Sequence, residues 1–521
     1  MTLLKDIAGV GSCFNQKLLL TVTVLAVSQF NFGMENRAFD AIQAMDYFIQ
    51  HFGETGPNGK KIIKSTWLSL FNGFGVVGFA VGVIVGKQLV SRLGRRATVQ
   101  FMCVWTIICT TILMTSRNRH QMMAGRALNY LYMGMELAVI PLYQAEITPL
   151  RARGAMVATY NTSLALGMLV MSSICRGTSS IRGKASYLIP LGLFYLVPVI
   201  VLSFSFFIPE SPRWLVLHDR HEEAFEVLKS IRAGKFTEEE IQEEFAAIRA
   251  IREIDSSNDA PAENFWNRWI RIFNSRHMKR TVIVLGTNFF LHGTGNAFST
   301  KYGTIFFKSI GTVNPFTLTT INTVLTVITS IVTLFLVDSL GRRPLLLSGS
   351  FVQAAALLTM GGLGMAKRTT AVSGAIIATK MIFTVGYTAA WGQLSHTITA
   401  EVPAAEVRDT TYATGSFLAV ATQAAVTFSL PYLLDEPYAG LGPKVGFIFG
   451  GLTAISVLFA FFFIPECKGK SLEEIDVLFN NNVPVRKFQD TKLVVESSGK
   501  EGGSAVEIEL VEESKRRSTK C

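Results

Sequence analysis

Apolar residues run along this chain in blocks of about 20, the length an α-helix needs to cross a bilayer. The blocks lie near 18–36, 66–86, 97–116, 123–145, 155–175, 185–208, 281–307, 316–337, 345–366, 373–399, 411–434 and 445–464. The pattern predicts twelve spanning helices, with both ends of the chain on one side. Between the sixth and seventh blocks, residues 218–280 are polar, and HEEAFEVLKSIR and TEEEIQEEFAAIRAIREI show helical periodicity. Thr237 followed by Glu240 forms a capping box there, so this stretch reads as amphipathic helices joining two halves. The seventh block, continued to 311, is too long for one straight helix and is interrupted by Gly293, Gly295 and Gly303. A broken helix leaves backbone groups unpaired, which a membrane tolerates only beside a water-filled site, and a solute is expected to bind there. After residue 467, SLEEIDVLF has the look of a short charged helix. The Ser, Gly, Glu and Lys-rich remainder is expected to be disordered beyond about residue 485.

These elements divide the chain into a cytoplasmic N-terminal tail (1–17), a first six-helix bundle (18–215), a cytoplasmic helical linker (216–280), a second six-helix bundle (281–466) and a cytoplasmic tail (467–521). The two bundles are related. Glu146, Pro149 and Arg153 return as Glu401, Pro403 and Arg408, with seven residues from acid to base each time. Gly94-Arg95-Arg96 returns as Gly341-Arg342-Arg343, and Pro209-Glu210 as Pro465-Glu466. Each half thus carries charged groups where its helices leave the membrane. The fold expected is an all-α membrane protein of two pseudo-symmetric six-helix bundles.

Composition agrees, with 49% hydrophobic and only 17% charged residues over 521 positions, far from a soluble core of ordinary proportions. Lys and Arg near the helix ends outnumber those opposite on the face that holds the termini, which places that face in the cytoplasm. The net charge of +11 is therefore topology and contact with anionic lipid, not nucleic-acid binding. Cys103, Cys109 and Cys175 lie in or beside apolar blocks, and the six cysteines lack metal-ligand or disulfide-framework spacing. The first block is no signal peptide, because it is long, lacks a small-residue cleavage site and carries Glu35 and Asn36. Terminal Cys521 makes no lipidation box. No nucleotide loop or nucleophile-base spacing suggests an enzyme, and no cofactor or metal is expected.

Charges inside the blocks are costly and mark function or a structural pair. Glu35 in the first block, with Gln29 and Asn31, and Arg126 and Glu136 in the fourth are such positions. The glycines of the second block (Gly73, Gly75, Gly78, Gly82, Gly86) are read as close helix packing.

GRR at 94–96, PLYQAEITPLRARG at 141–154, PESPRWL at 209–215, DSLGRRPLL at 338–346, AEVPAAEVR at 400–408 and PECKGKSLEEID at 465–476 together resemble the sugar porter family of the major facilitator superfamily. The resemblance covers residues 18–480, and PYLL at 431–434 with GPKVGFIFGG at 442–451 is similar to fungal members. It implies two bundles rocking about a central site, closed on the cytoplasmic side by salt bridges. Arg95, Arg96 and Arg153 would pair with Glu210 and its neighbours, Glu146 and Arg213 among the gate residues. Asp338, Arg342, Arg343, Arg408, Glu401 and Glu466 would do the same in the second half. Ser91 stands where the first motif usually has Asp, so the first clamp is expected to be the weaker. Glu35 and Arg126 match the acid and arginine of proton-coupled members. The resemblance also implies a monomer whose partners are a small solute, protons and the bilayer, with residence in the plasma membrane part of the same expectation.

The solute site departs from the family. Asn161 stands at a Gln position, Leu291-His292 replaces a Gln pair, Ala297 replaces Asn, and His396 replaces Trp. Ala419 lies at an Asn position with Gln423 a turn away, while Trp391 and Gly392 persist and Asn296 is a possible substitute amide. Lys301 occupies a gate position that is usually aromatic. Amides have given way to potential cations, which would suit a carboxylate-bearing solute; alternatively His292 and His396 are neutral and bind a sugar or polyol, or pack. The readings are a proton-coupled transporter of a sugar-like solute, a transporter of an organic acid or specialised metabolite, and a sensor that binds sugar without moving it. About 40 residues follow the last motif, shorter than the signalling tail a sensor is expected to need.

Overall fold

Helix follows helix along almost the whole chain. The computed structural model describes residues 14–56, 59–149, 153–257, 269–404, 407–435, 438–468, 470, 472–481, 483–489, 491–496 and 507–512. The first half comprises α1 (Gln16–Ile42), α2 (Asp46–Phe52), α3 (Ser65–Leu93), α4 (Arg95–Met114), α5 (Arg119–Ile147), α6 (Arg153–Thr178) and α7 (Ala185–Ser205). A small hairpin, β1 (Glu54–Thr55) and β2 (Lys61–Ile62), interrupts it after α2. Then come α8 (Pro212–Leu217), α9 (His221–Arg232) and α10 (Glu238–Ser257). The second half runs through α11 (Ser275–Gly293), α12 (Asn296–Thr300), α13 (Gly303–Ile310), α14 (Pro315–Leu340), α15 (Arg342–Leu363), α16 (Thr370–Glu401), α17 (Arg408–Leu434), α18 (Val445–Phe463) and α19 (Leu472–Asn480).

Among the described residues, nine helices are long and apolar enough to cross a membrane alone: α1, α3, α4, α7 and α14 to α18. The three other apolar blocks fall on α5, α6 and the broken run α11–α13. The break lies where the glycines are. α11 ends at Gly293, Gly295 takes a left-handed backbone with φ of +97°, and α13 opens on Gly303.

By compactness the chain forms two units. One holds residues 1–262, 297–327 and 423–442, and the other holds 263–296, 328–422 and 443–521. In the first unit α3 packs on α5 and α1 on α6. Glycine sets the α3–α5 spacing, since a Cβ on Gly82 would lie 2.1 Å from the Leu131 carbonyl oxygen and one on Gly134 2.0 Å from that of Phe79. The polar helices α9 and α10 dock on this unit. Buried Arg232 donates to both carboxylate oxygens of Glu244, at 2.9 and 2.8 Å, and to the Ile147 carbonyl at the end of α5, at 2.8 Å. The capping box forms, with the Glu240 carboxylate accepting from Thr237 N–H at 2.9 Å and Glu240 N–H donating to the Thr237 hydroxyl at 3.3 Å.

In the second unit α15 packs on α16 and α18. Buried Arg280 of α11 pairs with Asp476 of α19 and donates to its carbonyl at 3.0 Å, fixing the helix at the start of the tail. Farther on, where the sequence predicts no order, β3 (Thr491–Glu496) and β4 (Glu507–Glu512) pair antiparallel. The register sets Leu493 opposite Leu510 and Val495 opposite Ile508, residue types that favour a ladder, a local pattern masked by the polar average of the tail.

Candidate functional site

Two polar clusters and a pair of latches make up the candidate machinery. The first cluster lies inside the first unit, where α1 and α5 run antiparallel. Glu35 is buried and accepts amide N–H bonds from Asn31 at 2.7 Å and Asn129 at 3.0 Å, and Asn31 also donates to the Tyr132 hydroxyl at 3.2 Å. Asn31 and Glu35 are four apart on one helix and so share a face. Arg126 forms no ion pair with Glu35, although their charges act on one another. Its guanidinium lies 3.4 Å over the Phe39 ring and donates to the Phe71 carbonyl at 3.1 Å and the Tyr130 hydroxyl at 3.3 Å. The acid and arginine singled out by sequence are thus neighbours, each held by its own partners.

Lys301 belongs to the same unit. Its ammonium donates to Asn36 Oδ1 at 2.6 Å and to the Tyr130 hydroxyl at 2.8 Å. The Tyr130 oxygen therefore accepts from two cations at once, using both lone pairs. Nearby, Arg37 and Asp40 form a buried pair at 3.1 Å, and Asp40 also accepts from Thr304 N–H at 3.2 Å and its hydroxyl at 2.9 Å. Sequence reasoning missed Asn129, Tyr130, Arg37 and Asp40, and named Asn31 beside Glu35 without giving it a role. The four-residue spacings Asn31–Glu35 and Arg126–Tyr130 were the available signal for the part played by Asn31 and for Tyr130.

The second cluster lies in the other unit. His292 and Asn296 are half-buried and face each other across the helix break at 3.5 Å, Asn296 Nδ2 to His292 Nδ1. Trp391 is fully buried in a single π-helical turn, Thr388–Gly392, with its ring 5.6 Å from that of Phe290. Such turns reposition side chains inside a helix, and the Trp391 indole N–H has no protein partner among the described residues. His396 is surface-accessible although densely surrounded by protein, as befits a group lining an open space. Ala419 of the same unit is buried, and Gln423, which belongs to the first unit, is half-buried. Asn161 lies on α6, but its side chain is outside the described residues.

The latches correct the expected pairing. Glu210 does not reach the arginine side chains. Its two oxygens accept the backbone N–H of Arg95 at 2.7 Å, Arg96 at 3.0 Å and Ser211 at 2.8 Å. It caps the start of α4, where N–H groups lack intrahelical partners and the helix dipole favours an anion. Gly94 brings the chain in with φ of +89°, and a Cβ there would sit 2.5 Å from Glu210 Oε2. Burial pushes the Glu210 carboxyl above the usual carboxylate range, opposed by these N–H donors and by Arg95. The Arg95 side chain goes instead to Glu146, through two hydrogen bonds of 2.7 and 2.6 Å, and the Ser211 hydroxyl donates to the same carboxylate at 2.5 Å. Arg96 donates to the Phe206 carbonyl at 2.8 Å.

The second half repeats this. Glu466 accepts the N–H groups of Arg342 at 3.1 Å, Arg343 at 2.9 Å and Lys468 at 2.9 Å beside Gly341, whose φ is +98°. Arg342 approaches Glu401 at 3.2 Å, and Arg343 donates to the Phe461 carbonyl at 2.8 Å. The first clamp, expected to be the weaker, has the shorter and more buried contacts, because Ser211 and a two-point guanidinium contact serve Glu146. Ser91 contributes its carbonyl, which accepts from the Trp214 indole at 3.4 Å. Arg213 and Arg408 are half-buried and form no ion pair among the described residues. The side chains of Arg153 and Asp338 lie outside the described residues.

Comparison with known proteins agrees with this architecture. An E. coli xylose transporter in an inward open conformation superposes with a TM-score of 0.70 at 17% identity, covering 88% of this chain and 99% of that one. A high-affinity glucose transporter of Kluyveromyces lactis is 26% identical over 78% of this chain and 76% of its own length. A high glucose sensor of Saccharomyces cerevisiae is 30% identical over 89% of this chain, which spans 61% of the sensor's length. Residues 21–479 match the family described as sugar (and other) transporter, and on that match, with the helical architecture above, this chain is a member of the sugar porter family of the major facilitator superfamily.

Proposed function

We propose that this chain is a secondary transporter that takes up a neutral sugar or polyol together with protons, and not an enzyme. Twelve helices cross the membrane in this reading, the plasma membrane of the cell, with both termini in the cytoplasm. The observation that carries proton coupling is the setting of Glu35: a carboxyl buried inside a membrane-spanning bundle, bonded by two amides and beside an arginine engaged elsewhere. Such an acid gains or loses its proton as the nearby cation shifts, which ties protonation to conformation.

Lys301 is engaged by Asn36 and Tyr130, so it acts as part of a gate and is not a spare cation for a carboxylate. His292 beside Asn296 offers a donor and acceptor pair suited to hydroxyls. Both points favour a sugar or polyol over an organic acid.

The test is counterflow in proteoliposomes with glucose, a polyol, a quinate-like acid and a monocarboxylate. Hexose or polyol exchange is expected, and accumulation against a gradient should vanish in Glu35→Gln along with its pH dependence. Exchange of carboxylates alone would replace this reading with organic-acid transport. A second reading, sugar sensing without flux, is favoured by the likeness to the yeast glucose sensor. Glucose binding with no counterflow of any solute would select it.

A further inference from the structure

Glu136 is the most costly side chain in the first unit. It is fully buried, and among the described residues the Ser28 hydroxyl is the one hydrogen-bonding group that approaches its carboxylate. A bare carboxylate so placed is unfavourable by several kcal/mol, whereas the protonated form is tolerated. Glu35 is equally buried but better supplied, with two amide N–H donors to its carboxylate. Two buried carboxyls in one interface, unequally supplied with hydrogen-bond donors, can exchange a proton.

Their placement is ordered. α1 and α5 run antiparallel, with Glu35 opposite Asn129, Asn31 opposite Tyr132, and Ser28 beside Glu136. Glu136 lies seven residues beyond Asn129, about 10 Å along α5, towards the end that carries the Glu146–Arg95 latch. Farther that way, Gln29 donates to Gln144 Oε1 at 2.7 Å. The remaining buried atoms of this pair, Gln29 Oε1 and Gln144 Nε2, have no protein partner among the described residues, nor does the Tyr160 hydroxyl of α6. Orphaned polar atoms are rare in protein interiors, and a row of them marks a track that water or a mobile proton can use. The titratable groups acting on Glu136 or influenced by it are Glu35 from α1, Tyr132 on its own helix and Tyr160 from α6.

We propose that Glu136 is a second proton-binding site, a relay between Glu35 and the latch end of the α1–α5 interface. Glu35 gives up its proton and remains as a carboxylate held by Asn31 and Asn129. Glu136, protonated at rest, first releases its own proton along the Gln29–Gln144 track to solvent and is then neutral again when it takes up the proton from Glu35. This rests on the proton-coupled reading above, and it adds a residue to which that reading assigns no role.

The experiment uses the full chain in liposomes, with glucose as the probe, and measures glucose-driven proton uptake, glucose counterflow and infrared absorption of protonated carboxyls. In Glu136→Gln, proton uptake is expected to fall at least tenfold while counterflow, which needs no net proton movement, persists. A protonated-carboxyl band of the wild type should be missing from the variant. Glu136→Asp, which keeps a titratable group, should recover proton uptake to within threefold of wild type, a rescue that a purely structural role would not give. Proton uptake within twofold of wild type in Glu136→Gln overturns the relay. So does glucose flux without protons in the wild type, which spares the transport reading; absence of hexose and polyol counterflow alike in the wild type sinks both.

Discussion

Replacing Glu146 by Gln tests whether the two latches differ as their geometry says. Arg95 and Glu146 meet at 2.6 Å with side chains only 7% and 8% exposed. Removing one charge from a buried pair strands the other, at a cost of about 3–5 kcal/mol. The corresponding pair, Arg342 and Glu401, meets at 3.2 Å with side chains 16% and 21% exposed. Partial solvation screens that pair, and its loss costs about 1 kcal/mol. At about 2 °C per kcal/mol for a bundle of this size, Glu146→Gln should lower the melting temperature by roughly 6–10 °C and Glu401→Gln by about 2 °C. Thermal unfolding of the two purified variants, followed by tryptophan fluorescence in one detergent, gives the comparison. Equal shifts, or a larger one for Glu401→Gln, would refute the assignment of the stronger latch to the first half.

Three further outcomes are expected. Gly82→Leu should abolish folded protein, because a Cβ there already meets the Leu131 carbonyl at 2.1 Å, whereas Gly177→Ala, with nothing within 4 Å, should be neutral; size-exclusion profiles separate them. Tyr130→Phe should destabilise more than Lys301→Met, since the first takes one acceptor from each of two buried cations and the second removes one cation, by about 1 kcal/mol between them; melting temperatures again give the order. Glu210 binds its proton more tightly folded than unfolded, so its contribution to stability is present at low pH and is lost as pH rises through its raised value. Glu210→Gln should flatten that part of the curve of melting temperature against pH.

Much of this was legible in the sequence because it depends on local rules. Gly293, Gly295 and Gly303 announce the broken helix, Thr237 with Glu240 the capping box, and the repeated Gly-Arg-Arg the helix starts at Arg95 and Arg342. Contacts that cross between helices were not legible. Nothing in the spacing of Glu210 says that its carboxylate seeks backbone N–H groups, since charge pairing and helix capping leave the same letters in a motif. Lys301 reads as a spare cation until Asn36 and Tyr130, more than 170 residues earlier in the chain, are brought to it. The β3–β4 pairing escaped because composition averages over a ladder only six residues long.

The anchoring of Glu210 and Glu466 to main-chain nitrogen has a wider consequence. Peptide N–H groups are common to every residue, so the acid keeps its grip whatever side chain follows the glycine. The neighbouring arginines are then at liberty to change partners without dismantling the helix start they sit on. A duplicated gene built on such an invariant handhold can diverge widely and still leave its ancestry readable.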